Sequence, residues 1–303
     1  MSYEIFCPIS QFTNSYYLVL MKYFIPLLMS YTFLPLWSQG GTEVYTAKLN
    51  LTQEGYRIEE LSNQSQNLGY DNQPSFWSED ALLYAATQNG QTDIIFHQLA
   101  TGEKNGWSAT GQGSEYSPLR IPSTDEYSAI RLDTTGLQRL YRYNTQGESS
   151  PLHPDLKIGY YVWVDATTLL CTVLVENHMD LYLLNIENGK ATRLQTHVGR
   201  SLHLIPNSTQ LSFIHWIEEQ AIITSIDLAT NTQKACFMLP SGVQDHAWLP
   251  NGAIVYGQGS TLFSAMPSGT VKVLHRFSST EIKNISRIAL SPSGKRIALV
   301  GEE

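Results

Sequence analysis

The stretch Leu290-Ser291-Pro292-Ser293-Gly294-Lys295 decides the fold, because it joins two apolar runs through a tight polar turn. The stretch Leu249-Pro250-Asn251-Gly252 repeats this join one unit earlier in the chain. Further outward, an apolar or aromatic strand end meets a polar turn at four more places. The equivalent positions are Ser78, Pro122, Asp165, Pro206, Pro250 and Pro292, with spacings of 44, 43, 41, 44 and 42 residues. This period is typical of propeller blades, so six copies predict six blades.

Each copy continues with the same order of short strands. A second strand follows the turn, as in Tyr127 to Leu132, and a third alternates apolar and polar side chains, as in Gln138 to Tyr143. A turn that contains glycine, such as Gln146-Gly147, then leads to a fourth strand. Alternation with a period of two, bounded by Gly, Pro, Asn and Ser, indicates strands and hairpins. The sequence therefore predicts an all-β, six-bladed β-propeller of four-stranded blades.

The last copy stops after two strands, and two matching strands stand near the other end of the chain. Glu43 to Leu49 and Tyr56 to Leu61 copy the third and fourth strands of the other units. We expect these N-terminal strands to complete the last blade, because ring closure removes open sheet edges. Residues 41–303 are thus predicted to form a single propeller.

The composition excludes several classes of protein. The chain has 303 residues, of which 42% are hydrophobic and 15% charged, and this mix excludes a disordered, collagenous or coiled-coil protein. The net charge of −8 argues against a nucleic-acid partner. The three cysteines contain no Cys-x-x-Cys pair, which excludes a disulfide scaffold and a thiolate zinc site.

Residues 1–40 have the pattern of a targeting segment. Lys22 precedes an apolar stretch from Tyr23 to Trp37, and the small residues Ser38 and Gly40 follow it. This order is typical of a secretory signal peptide, so we expect translation to start at Met21 and cleavage near Gly40. The alternative is an uncleaved signal anchor, because the apolar stretch is long enough to span a bilayer. After cleavage we expect a monomer without membrane contact, located in the periplasm or secreted from a Gram-negative cell.

The blade pattern resembles the WD40-like, PD40-type repeat of TolB-type propellers. In that repeat, an inner strand ends in a Ser-Pro-Asp-Gly-like turn and the third strand begins with Asp-Ile-Tyr, here Ser291-Pro292-Ser293-Gly294 and Asp93-Ile94-Ile95. Tyr70 to Phe76 and Gly199 to His203 also resemble secreted Bacteroidetes propellers of unassigned activity. The resemblance covers Thr42 to Glu303 and implies an exported propeller.

A candidate ligand site follows from the topology of a propeller. Residues just before each inner strand converge on one face beside the central channel, where unlike polar side chains would form a small-ligand site. The alternative is that these side chains only line a hydrated channel mouth or pack between blades. The candidate ligand-binding residues are Tyr70, Asp71, Asn72, Gln73, Glu115, Tyr116, Tyr160, Trp163, Arg200, His203, Asp245, His246 and Arg287.

Two classes of function remain open. The first is a non-catalytic binding module for a protein, a peptide or an envelope glycan. The second is a hydrolase or lyase that acts on a sugar or peptide at the channel mouth. The chain has no Gly-x-Ser-x-Gly motif, so a catalytic serine has no sequence support. Asp245, His246 and His203 are chemically suited to a divalent cation but lack a spacing signature, so we expect no catalytic residues, metal or cofactor.

Overall fold

The computed structural model describes residues 41–53, 55–108 and 110–302. The predicted targeting segment lies outside these residues. Within the described ranges, no helix is long and apolar enough to cross a bilayer.

The described residues form twenty-four strands in six antiparallel sheets of four. The first twelve strands are β1 (Thr42–Thr52), β2 (Gly55–Asn63), β3 (Asp71–Ser78), β4 (Ala81–Gln88), β5 (Gln91–Gln98), β6 (Glu103–Gly106), β7 (Ser114–Arg120), β8 (Tyr127–Leu132), β9 (Gln138–Tyr143), β10 (Ser149–Pro151), β11 (Ile158–Trp163) and β12 (Thr168–Val175). The others are β13 (His178–Asn185), β14 (Ala191–Gln195), β15 (Val198–Leu204), β16 (Leu211–Ile217), β17 (Gln220–Asp227), β18 (Thr232–Met238), β19 (Ala247–Trp248), β20 (Ile254–Gln258), β21 (Thr261–Ala265), β22 (Val271–Arg276), β23 (Lys283–Leu290) and β24 (Arg296–Glu302).

Each sheet is one blade of a six-bladed propeller, which confirms the predicted fold class. Blades 1 to 5 are β3–β6, β7–β10, β11–β14, β15–β18 and β19–β22, with strands paired in chain order. The first strand of each of these blades is the inner one. Inner strands of neighbouring blades contact each other in the pairs β3–β7, β11–β15, β19–β23 and β23–β3.

Blade 6 joins the two ends of the described chain, as predicted. Its order from the inside is β23-β24-β1-β2. Strand β1 is antiparallel to β24, with Tyr45 opposite Leu299 and Ala47 opposite Ile297. Closure of the ring therefore depends on main-chain pairing between residues more than two hundred positions apart.

The apolar core is divided among the six junctions between neighbouring blades, and each junction has its own cluster. Blade 6 shows how the two-residue period builds them, because alternate side chains point to opposite faces of a strand. Val44 and Val300 pack with Leu82 of blade 1. Tyr45 and Leu299 point the other way and join the cluster with blade 5. Each blade thus contributes to two clusters.

The turn that decides the fold requires its glycine. Gly294 has a φ of +69°, and a Cβ at this position would overlap the ring of Pro250. The turns that end the inner strands of blades 5 and 6 therefore pack directly against each other.

Candidate functional site

One side chain from each of the six blades belongs to a cluster of charged and aromatic groups. Tyr70 interacts electrostatically with Tyr116, Tyr160, Arg200 and Arg287, and Asp245 interacts with both arginines. We call this set the channel group: Tyr70, Tyr116, Tyr160, Arg200, Asp245 and Arg287, from blades 1 to 6 in that order.

Asp245 and Arg287 form the fixed part of the channel group. The Asp245 Oδ2 atom accepts a hydrogen bond of 2.8 Å from the main-chain N–H of Ile288. The Arg287 Nη1 atom lies 3.8 Å from Asp245 Oδ1. The Arg287 guanidinium also lies over Tyr160, with its Cζ atom 5.2 Å from the ring centroid. Arg287 is therefore held between a carboxylate and an aromatic face.

Arg200 has fewer partners for its charge. Its Nη2 atom donates to the Ser286 carbonyl at 2.8 Å. In the described part of the chain, Arg200 Nε and Ser286 Oγ are buried and have no hydrogen-bond partner. Burial lowers the pKa of Arg200, repulsion from Arg287 lowers it further, and attraction to Asp245 opposes both. Arg200 and Arg287 thus repel each other, and Asp245 offsets part of this repulsion.

The tyrosines form an aromatic wall beside these charges. The rings of Tyr70 and Tyr116 meet edge to face, with centroids 6.2 Å apart and an interplanar angle of 72°. Burial raises the pKa of Tyr70 to about 12, although Arg287 opposes the rise. The Tyr70 hydroxyl is therefore protonated at neutral pH and can act as a hydrogen-bond donor.

Two cavities open beside the channel group. The larger has a volume of about 440 Å³, and its polar lining includes Arg200, Gln244, Asp245, Asn284, Ser286 and Glu302. The smaller has a volume of about 110 Å³, and its lining includes Gln73, Ser117, Tyr160, Arg200, His203, Asp245 and Arg287. Arg200 and Asp245 border both cavities, so they form the boundary between them.

His246 lies in a closed hydrogen-bond network. Its Nε2 atom is 3.2 Å from Ser212 Oγ, which accepts a bond of 2.8 Å from Trp248 Nε1. Its Nδ1 atom is 3.1 Å from Ser201 Oγ, and Ser201 Oγ is 3.0 Å from His203 Nε2. Burial lowers the pKa of both histidines, so the rings are neutral at neutral pH.

Ser201 Oγ connects the two histidines. It accepts from the main-chain N–H of His246 at 3.2 Å and lies 3.3 Å from the His246 carbonyl oxygen. It is also within hydrogen-bond distance of one ring nitrogen of each histidine. Four polar atoms of His203 and His246 thus surround this hydroxyl, and Ser201 holds both rings in place.

Two of the predicted acidic residues lie at blade junctions. Asp71 and Glu115 are both 0% exposed. Asp71 Oδ1 accepts from Asn67 at 3.2 Å, and Glu115 Oε1 accepts from Tyr143 at 3.2 Å. The other carboxylate oxygen of each has no partner among the described residues. Burial raises the pKa of both carboxyls, that of Asp71 to about 6.

Three further predicted residues have packing or positioning contacts. Trp163 is buried between blades 2 and 3, where its Nε1 atom donates to Ser128 at 2.9 Å. Asn72 is buried and accepts from the main-chain N–H of Gln73 at 2.8 Å. Gln73 lines the smaller cavity and accepts from the N–H of Ser117 at 2.7 Å. Of these three, Gln73 alone borders a cavity of the channel group.

Sequence reasoning did not identify Ser286 or Gln244 as part of the site. Ser286 stands next to Arg287 in a strand, but its carbonyl partner Arg200 is 86 residues away. Gln244 stands next to Asp245, in the long connection before β19 that lines the larger cavity. The length of that connection is the one sequence signal that could have identified Gln244.

His203, His246 and Asp245 are the predicted residues whose chemistry suits a metal ion. Both ring nitrogens of His246 have serine partners, and one oxygen of Asp245 is bonded to the main chain. In residues 41–53, 55–108 and 110–302, no group of three or more His, Cys, Asp or Glu side chains has an arrangement that could hold a metal ion.

Comparison with solved structures identifies the type of propeller. No family model and no curated protein matches the chain. A protein described as TolB from Agrobacterium tumefaciens superposes with a TM-score of 0.67 at 16% identity, over 87% of this chain and 99% of that one. The chain has the TolB-type propeller fold. TolB from Acinetobacter baumannii gives a TM-score of 0.56 at 14% identity, over 88% of this chain and 64% of that protein.

The same TolB-like fold is also found in an enzyme. An oligogalacturonate lyase in complex with manganese superposes with a TM-score of 0.57 at 15% identity, over 86% of this chain and 91% of the lyase. At such identities the likeness is one of fold alone. The function of this TolB-like propeller must therefore be argued from its own site.

Proposed function

We propose that this TolB-like propeller is an exported, non-catalytic binding module whose channel face holds an acidic ligand. The ligand is a protein, a peptide or an envelope glycan that presents a carboxylate or phosphate to Arg200 at the larger cavity. The observation that carries the proposal is the surplus of buried donors at the larger cavity. Arg200 Nε and Ser286 Oγ have no partner among the described residues, and both residues line that cavity.

Buried polar groups without partners destabilise a folded protein, typically by about 1–3 kcal/mol each. An anionic oxygen beside Arg200 Nε would accept from that atom and from the Ser286 hydroxyl. It would also offset the repulsion between Arg200 and Arg287, which lowers the pKa of Arg200. A guanidinium is suited to this role because its planar donors match the geometry of carboxylate and phosphate.

The candidate residues divide into two groups under this proposal. Those that border the two cavities are Gln73, Tyr160, Arg200, His203, Asp245 and Arg287, and Tyr70 and Tyr116 form the aromatic wall beside them. The others hold the inner strands in place and act indirectly: Asp71, Asn72, Glu115, Trp163 and His246. Ser201 Oγ has four polar atoms of His203 and His246 within hydrogen-bond distance, which supports a structural role for this serine.

Export is the second part of the proposal. It is supported by the order of Lys22, the apolar stretch and Ser38-Gln39-Gly40. The intact mass of the protein from its native envelope tests it. We expect a chain that begins near Gly41, and a species that retains residues 21–40 would show an uncleaved anchor instead.

The binding proposal is tested by calorimetric titration with two pairs of probes. One pair is a uronic-acid disaccharide and its neutral counterpart, and the other is an Asp- and Glu-rich peptide and its amide counterpart. We expect the acidic member of one pair to bind and its neutral counterpart to bind at least tenfold more weakly. Affinity should also fall with added salt, because screening weakens charge pairing. Equal binding of both members of each pair would refute the anion site.

A further inference from the structure

A further cavity lies at the junction of blades 3 and 4, and none of its lining residues borders the two cavities beside the channel group. Its volume is about 500 Å³. We call it the rim pocket and define it by Leu174, His178, Met179, His197, Val198 and Trp216, which line it. Glu176 and Asn177, in the turn between β12 and β13, complete its edge.

The wall of the rim pocket is mainly apolar, although it faces solvent. Leu174 is 42% exposed, which is unusual for a leucine in a sheet whose neighbouring side chains are buried. The half-buried Trp216 adds an indole ring, and its Nε1–H has no hydrogen-bond partner in the described part of the chain. An apolar pocket of 300–1,000 Å³ with a few polar groups is the usual form of a small-ligand site.

One side of the rim pocket is a preformed stack of two imidazoles. The rings of His178 and His197 are parallel within 3°, with centroids 4.2 Å apart. The His178 Nε2 atom lies 3.1 Å from an oxygen of Asp180, a residue that is only 1% exposed. Arg193 Nη1 lies 3.4 Å from the other oxygen of Asp180, so this carboxylate is fixed from two sides. His197 is exposed, which leaves the stack capped on one side only.

We propose that the rim pocket binds a planar aromatic ring. A ring placed against His197 would extend the stack at a spacing that aromatic side chains favour, and this contact would add to the gain from burial. The Met179 sulfur offers a further favourable contact with an aromatic ring. The Trp216 N–H would donate to an acceptor atom on the ligand. A free aromatic molecule and an aromatic side chain of a polypeptide share this chemistry.

The test uses the full chain and three probes: indole, the tripeptide Gly-Trp-Gly, and cyclohexanol as an apolar, non-aromatic control. The readout is the ring Cε1–H resonances of His178 and His197 in NMR spectra recorded at about pH 8, where an ordinary histidine is neutral. We expect saturable ring-current shifts with indole and a Kd on the order of 1 mM, the range for a small fragment. Tighter binding of the tripeptide would indicate a polypeptide ligand, and equal binding a free aromatic molecule.

The matched variants are His197→Asn and His153→Asn. His197 has a φ of +55°, a conformation that asparagine tolerates, so the first variant removes half of the stack without backbone strain. His153 lies outside the rim pocket, and its Nδ1 atom accepts two main-chain N–H bonds that an asparagine oxygen can also accept. We expect indole binding to weaken about threefold or more in His197→Asn and to stay unchanged in His153→Asn. The absence of saturable shifts, equal binding of cyclohexanol, or unaltered binding in His197→Asn would each overturn the proposal.

Discussion

Arg200 donates a hydrogen bond of 2.8 Å from Nη2 to the main-chain carbonyl of Ser286, and this bond links blades 4 and 6 across the channel face. The bond uses one end of the guanidinium and holds it in a fixed orientation. The Nε–H stays buried without a partner among the described residues. The Nη2 atom therefore holds Arg200 in place, while the Nε–H of the same side chain can donate to a ligand.

Arg200→Ala should weaken binding of the acidic probe by about 1–3 kcal/mol, the usual range for a charge-assisted hydrogen bond. Arg200→Lys should recover only part of this loss, because an ammonium keeps the charge but lacks the planar donors. Calorimetric titration measures both. The matched control is Arg276→Ala, an equal change of charge at an exposed position on β22. Equal losses in Arg200→Ala and Arg276→Ala would show a general charge effect instead of a site.

Deletion of residues 42–63 should open the ring. The deletion removes β1 and β2, so β24 loses its main-chain partner and Ile297 and Leu299 lose the packing that Tyr45 provides. We expect aggregation or domain swapping in size-exclusion chromatography with light scattering, together with a lower melting temperature. For comparison, Asn-Gly in place of Glu218-Glu219, in the turn between β16 and β17, should leave the protein monomeric. A deletion variant that stays monomeric and melts at the original temperature would contradict closure by β1.

The pKa of Asp71 makes stability depend on pH. Burial raises this pKa from an ordinary 3.8 to about 6, and the nearby Glu43 adds to the rise. The folded state then holds the proton more tightly than the unfolded state, so the free energy of unfolding falls as pH rises from about 4 to about 6. Below this window the Asp71 carboxyl is protonated in both the folded and the unfolded state. Its contribution to the free energy of unfolding then no longer depends on pH.

Asp71→Asn mimics the protonated carboxyl and should stabilise the protein above this window. The amide oxygen can still accept from Asn67, so we expect the free energy of unfolding at about pH 7.5 to rise by about 1–2 kcal/mol. Urea denaturation at several pH values measures the change. Asp155→Asn, at an exposed position in a connecting loop, should change nothing. A stability profile between pH 4 and 7 that is identical in wild type and Asp71→Asn would disprove the raised pKa.

Ser201→Ala should destabilise the propeller, although it removes only one oxygen atom. The substitution removes the hydroxyl that partners both the Nδ1 atom and the main-chain N–H of the fully buried His246. Unsatisfied buried donors of this kind typically cost about 1–3 kcal/mol, and chemical denaturation measures the loss. Ser268→Ala, at an exposed position, is the control. Unchanged stability in Ser201→Ala would mean that the serine does not hold His246.

The number of blades and the closure of the ring could be predicted from the sequence because the signals for both are local. Strand alternation and the turn at Gly294 depend on residues within a few positions of one another. Because the blade is repeated, the same local pattern occurs six times in the sequence. The N-terminal strands could be assigned to blade 6 because they complete a pattern that Arg296 to Val300 leaves half finished. The face on which the connections converge follows from that topology alone.

The tertiary structure decided which of the converging side chains face the cavities. The register of β3 against β4 shifts between Asn72 and Ser75, and that of β7 against β8 shifts between Tyr116 and Leu119. Such a shift changes the face to which the following side chains point, and the sequence pattern does not locate it. The partners of Arg200 and His246 also lie in other blades. Hydrogen bonds between distant residues depend on the packing of whole blades, so the tertiary structure alone separates Arg200 at the cavity from the buried Asp71 and from His246 in its closed network.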